Sequence, residues 1–151
     1  RRAQNFDTVS ICFSKGLGAP VGSALCLPKD LKKYAIRAIK ALGGGMRQSG
    51  ILAAAALYAI EHNIHRLQED HDNAKILAKG LKLLGYKTPK PPTNMVYFET
   101  PEAQKLSEIL KGQNILALPV GPTTIRMVTH LDISRKHVLK TLEVFEKIKT
   151  L

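Results

Sequence analysis

The hydrophobic pattern divides the chain into short uncharged runs and longer runs of helical period. Thr8 to Phe13 is β-rich and almost without charge, which predicts a fully buried strand. It stops at Ser14-Lys15-Gly16-Leu17-Gly18-Ala19-Pro20, where two glycines and a proline punctuate. Gly22 to Leu27 is a second strand, ended by Pro28. Lys29 to Lys40 reads as a helix, because Leu31, Tyr34, Ala35, Ala38 and Ile39 fall on one face. Gly43-Gly44-Gly45 breaks it. Gln48 to about Leu84 is helical again, alanine-rich from Ile51 to Ile60, with Asn63 a candidate point of division. Leu67, Ala74, Leu77, Ala78, Leu81 and Leu84 form a stripe, and Gly85 suits a C-terminal cap.

Thr88 to Thr93 holds three prolines and predicts a connector. Beyond it the pattern gives a strand at Asn94 to Thr100, an amphipathic helix at Glu102 to Gly112 and a strand at Ile115 to Val120. Gly121-Pro122-Thr123 is a turn, Ile125 to His130 a strand, and Ser134 caps a last helix to about Lys149. This order predicts a small α+β unit with an antiparallel sheet. The expected division is therefore residues 1–87, two strands and long helices of α/β type, and residues 88–151, a small α+β domain.

Composition narrows the class. The chain has 151 residues, 44% hydrophobic and 23% charged, enough to bury a core, which excludes intrinsic disorder. No apolar run reaches the length of a membrane span. The opening Arg1-Arg2-Ala3-Gln4-Asn5-Phe6-Asp7 lacks the apolar stretch of a secretory signal. Cys12 and Cys26 lie in apolar runs, with no disulfide framework and no metal-type spacing, which suits packed thiols in a reducing, cytoplasmic setting. The net charge of +11 invites a nucleic-acid reading. Its lysines and arginines are spread along the whole chain, aromatics are 5% and Trp is absent, so a solvated basic face ranks above a nucleic-acid-binding module.

Several side chains are candidates for chemistry. Lys15 follows a strand in a loop whose glycines let backbone approach a ligand, and partial desolvation there would free its amine as a nucleophile. Spacing alone favours an ordinary exposed loop lysine. Gly43 to Gly45 would offer backbone N–H groups at a helix start as an anion site, with Lys40 and Arg47 beside it. A helix-breaking turn with two surface cations stands level with that reading. His62, His65 and His71 lack the remainder of a metal site and read as solvated helix positions, so no metal site is expected. His130 reads as structural or supporting, and Asn94 and Thr129 as local hydrogen-bond formers.

Five blocks in order carry a resemblance. They are Ser14-Lys15-Gly16-Leu17-Gly18-Ala19-Pro20-Val21-Gly22-Ser23, Gly43 to Ala55, Arg66 to Ala74, Thr93-Asn94-Met95-Val96, and Ile125-Arg126-Met127-Val128-Thr129-His130-Leu131-Asp132-Ile133-Ser134-Arg135. Together they resemble the C-terminal part of low-specificity L-threonine and L-allo-threonine aldolases, pyridoxal 5′-phosphate enzymes of the aspartate-aminotransferase fold (fold type I). The resemblance implies cleavage of a β-hydroxy amino acid, with threonine or allo-threonine giving glycine and acetaldehyde. It implies that Lys15 binds the cofactor aldehyde and that Arg126 clamps the substrate α-carboxylate, against a surface strand arginine as the plain reading. Lys40 and Arg47 match basic residues near the cofactor phosphate at a subunit interface. A homo-oligomer, dimer or tetramer, or pairing with a full-length subunit is implied as well. The family's aromatic residue stacked on the cofactor ring and its Asp facing the pyridinium nitrogen match nothing in these 151 residues. A truncated or split subunit is the first reading, and a non-catalytic remnant acting through subunit association the second. The strands around Val9 and Ala24 are then expected to lose neighbours and leave exposed edges.

Overall fold

A computed structural model describes residues 2–149. Arg1, and the last two residues of the expected second domain, lie outside the described residues. The chain separates into two compact units, Arg1–His65 and Arg66–Leu151. The expected boundary at 87/88 follows the helix Leu67–Leu83, whereas the compact units part earlier, at the turn of residues 64–66.

The first unit opens with a 3₁₀ turn, Arg2–Asn5, and an antiparallel hairpin of β1 (Val9–Cys12) and β2 (Ser23–Cys26), with Val9 opposite Cys26 and Cys12 opposite Ser23. The run from Thr8 was expected to be fully buried. In the structure β1, one of only two strands in its sheet, is at most half-buried. Ile11 and Leu25 are exposed, as the expected loss of neighbours implies. After a second 3₁₀ turn, Lys29–Leu31, come α1 (Lys32–Ala41) and α2 (Gly50–Asn63). No residue of α1 is buried, although its apolar positions do fall on one face. Helix α2 is apolar nearly all round, the pattern of a helix enclosed by protein. Yet among the described residues of this unit only Ala19, Ala56 and Ala59 are buried, and Ile51 is 78% exposed.

The second unit has a real core. It comprises α3 (Leu67–Leu83), β3 (Met95–Glu99), α4 (Ala103–Gly112), β4 (Leu118–Pro119), β5 (Thr124–Val128) and α5 (Arg135–Lys149). The sheet is antiparallel throughout, in the order β3-β5-β4, with Tyr97 and Leu118 both opposite Arg126. Period-two alternation sends Val96, Phe98, Ile125 and Met127 into the core against the helices. The stripe of α3 supplies Ala74, Leu77, Ala78 and Leu81 to the same cluster. Phe98, Phe145 and Tyr86 meet edge to face, with ring centroids 5.3 to 5.5 Å apart.

The helix ends are closed by identifiable groups. Gly85, at φ +88°, ends α3, with its N–H on Lys82 O and the Tyr86 N–H on Leu81 O, both at 3.0 Å. The Lys149 ammonium donates to Leu84 O. At the start of α5, Ser134 Oγ accepts from the His137 N–H and His137 Nδ1 accepts from the Ser134 N–H, each at 3.3 Å. This is a capping box with histidine in the usual glutamate place.

Candidate active site

Lys15 stands in the β1–β2 loop, which is drawn tight by its own backbone. Gly18 N–H donates to Lys15 O at 2.8 Å and Ala19 N–H to Phe13 O at 2.9 Å. Asn63, at the end of α2, donates through Nδ2 to Leu17 O at 2.7 Å. The loop geometry is thereby held by a helix of the same unit. The Lys15 side chain itself is exposed, so this unit does not supply the desolvation that the glycine-rich loop allowed. Three residues earlier, Cys12 Sγ and Ser14 Oγ share a hydrogen bond at 3.3 Å. That bond, the Ser14 backbone N–H and the Lys15 charge hold the Cys12 thiol below its ordinary value, outweighing a smaller rise from burial.

Both cysteine expectations therefore change. Cys12 is half-buried with its thiol held low, and Cys26 is exposed on the open hairpin rather than packed. The sequence signal for Cys12 was its spacing from Ser14 and Lys15.

Of the two readings of the glycine run, the helix-breaking turn is the one seen. Gly43 N–H donates to Lys40 O at 3.1 Å and Gly44 N–H to Ile39 O at 2.7 Å, with Gly43 at φ +85°. These bonds close the C-terminus of α1 in a Schellman motif, so the N–H groups of Gly43 and Gly44 are not free, and α2 begins only at Gly50. What remains for an anion is the pair of cations. The Lys40 ammonium lies so close to Gly45 that a Cβ there would come within 3.0 Å of Nζ, and Arg47 is exposed nearby in the chain.

Arg126 belongs to the second unit, on the middle strand of the sheet, and is half-buried. Its Nε is fully buried and has no hydrogen-bond partner, a donor that its own unit leaves unsatisfied. The Arg126 side chain lines a cavity of about 300 Å³ that His130 also lines. Just past Arg126, the end of β5 is fastened firmly. Thr129 N–H donates to Asn94 O at 3.0 Å and Asn94 Nδ2 to Thr129 O at 2.8 Å. The Thr129 hydroxyl donates to Asp70 O at 2.7 Å. Asp70 is 1% exposed and pairs with Arg66 at 2.9 Å, and buried Asn73 donates to Ile133 O at 3.0 Å.

The histidines read as helix positions divide. His62 and His65 are exposed, with His62 stacked on Tyr58 at 4.1 Å, while His71 is half-buried. Among the described residues no three His, Cys, Asp or Glu side chains come together as a metal site would require. No helix there is long and apolar enough to cross a membrane.

Lys15, Lys40 and Arg47 thus lie in one unit and Arg126 in the other. The site residues offer an exposed amine, two cations beside bare glycine backbone and an arginine lacking an acceptor. An aldehyde and a phosphate are groups that the amine and the cations of the first unit can take, so these residues fit pyridoxal 5′-phosphate.

The fold is a partial α/β unit of fold type I, the class of the pyridoxal-phosphate enzymes. Threonine aldolase from Leishmania major superposes with a TM-score of 0.78 over 98% of this chain and 45% of its own, at 22% identity. The beta-eliminating lyase family model matches residues 1–103, and the chain belongs to that family. It is 49% identical over 139 residues to the low specificity L-threonine aldolase of Escherichia coli K12, covering 89% of this chain and 40% of that protein. A probable low-specificity L-threonine aldolase 2 of Arabidopsis thaliana is 41% identical over 156 residues, covering 98% of this chain and 44% of the plant protein. The chain spans less than half the length of these curated relatives.

Proposed function

We propose that the chain is part of a pyridoxal-phosphate lyase that cleaves threonine-type β-hydroxy amino acids to glycine and an aldehyde, which is acetaldehyde for threonine and allo-threonine. The observation that carries the reading is the 41% identity to a named threonine aldolase across 98% of the chain, a span holding both Lys15 and Arg126. Lys15 would hold the cofactor aldehyde through its amine. When bound, the cofactor supplies the sink for the electron pair of the broken Cα–Cβ bond. Arg126 grips the α-carboxylate with its planar guanidinium and fixes the orientation of the bond to be broken. Lys40 and Arg47 balance the phosphate charge.

The apolar faces of α1 and α2 support assembly of this unit with another polypeptide, a second copy or a full-length subunit. The two free thiols support a reducing compartment such as the cytoplasm. The same exposed helices favour a second reading, in which the chain acts through subunit association without catalysis.

Borohydride reduction of the purified chain with pyridoxal phosphate, followed by peptide mass spectrometry, separates the two readings. Selective modification of Lys15, abolished in Lys15→Ala and accompanied by acetaldehyde release from threonine isomers, is the expected result. Labelling scattered over many lysines and unchanged in Lys15→Ala would leave association as the function.

A further inference from the structure

The cavity at Arg126 carries more positive charge than one α-carboxylate can balance. Its wall holds Arg126 on β5 and Lys111 on α4, and no acidic side chain lines it. The other lysine of α4, Lys105, pairs with Glu102 at 3.1 Å, whereas the Lys111 ammonium has no carboxylate partner among the described residues. Ser107 adds no donor, because its hydroxyl is already given to Ala117 O at 2.7 Å. His130 accepts the Asp132 N–H at Nδ1, at 3.3 Å, which places the proton of the neutral ring on Nε2 as a further donor. Asp132, 3.6 Å from His130 Nδ1, lies outside this wall and is open to solvent. Leu118 and Val128 form an apolar side, which strengthens charge interactions within the cavity. At about 30 Å³ per water molecule, 300 Å³ admits a four-carbon dicarboxylic acid.

We propose that this cavity is a subsite for a second anionic group, read by Lys111, so that the substrate class includes β-hydroxy amino acids with an acidic side chain. The proposal rests on the reading of Arg126 as the carboxylate clamp. One carboxylate engages the Arg126 guanidinium, and the second makes a charge-assisted contact with Lys111. A monocarboxylate leaves Lys111 without a counter-charge.

The test follows the arginine Nε–Hε cross-peaks of the full chain by ¹⁵N–¹H NMR, with that of Arg126 assigned by its loss in Arg126→Lys. Sodium acetate and sodium succinate are titrated at matched ionic strength. The expected result is a shift with both anions, with succinate half-saturating at a concentration at least about tenfold lower, as a second charge-assisted contact implies. Lys111→Gln should bring the two within about twofold, and Lys111→Arg should keep the advantage, since the charge is retained. Lys111 is exposed, so neither variant disturbs the core. Equal affinities in the wild type, or an advantage that survives in Lys111→Gln, overturn the subsite while leaving the clamp standing. If neither anion moves the Arg126 cross-peak, the clamp reading fails as well.

Discussion

Replacing Phe145 with alanine should nearly unfold the second unit. Its ring is fully buried and meets the edges or faces of Tyr86 and Phe98 at centroid distances of 5.4 and 5.5 Å. Truncation removes the transfer free energy of the ring and leaves a cavity, together costing about 3–5 kcal/mol. The ring also joins α5 to the sheet, so little can relax into the gap. A unit of this size has about 4–12 kcal/mol of stability in all. With a urea slope of about 1–2 kcal/mol per molar, the midpoint should fall by about 2–3 M. Phe145→Leu keeps most of the volume and should cost about 1.5 kcal/mol or less. Far-UV circular dichroism follows the helices, and the near-UV tyrosine band reports Tyr86 in a protein without tryptophan. A midpoint shift below about 0.5 M for the alanine variant, with the near-UV band retained, would show that the aromatic cluster is not what holds this unit.

Two further outcomes follow from the ionisable groups. Because its partners lower the Cys12 thiol, iodoacetamide should alkylate it at half-maximal rate at a lower pH than an unstructured cysteine peptide, and Ser14→Ala should move the profile upward; coincident profiles for Cys12 and the peptide would refute this. Burial raises the Tyr86 phenol, so its contribution is complete below the unfolded value of about 10 and is lost as pH rises through the higher folded value. Between pH 9 and pH 11 the wild type should therefore lose more stability than Tyr86→Phe in urea titrations, and equal losses would contradict the burial.

The second unit was legible from periodicity because it contains its own core. The α3 stripe, the β3 alternation and the cap at Gly85 each matched their sequence signals, since what buries them lies within the same 80-odd residues. Asp70 escaped notice because it is charged, although it stands between Leu67 and Ala74 at the three- and four-residue spacing of the stripe, and its burial depends on Arg66. Strand β4 shrank to two residues because the expected run includes Ile115 and Ala117, which turn to pack against the core as irregular chain. In the first unit the same uncharged patterns led to an expectation of burial that no neighbour fulfils. The glycine run was read both as a helix break and as an anion site, and what selects the break is the need of the Ile39 and Lys40 carbonyls for donors.

The uneven distribution of the core has a consequence for mutational tolerance. The buried hydrophobic cluster runs from Ala74 to Phe145, and among the described residues none before Arg66 belongs to it. A library scored for abundance of the isolated chain should therefore punish polar substitutions in α3, the sheet and α5, while passing the same changes at Tyr34, Ile51 or Leu57. Scored instead for growth that depends on catalysis, the library should show the penalty spreading into α1 and α2. The positions where the two maps differ would trace the footprint of whatever surface those helices meet in the working assembly.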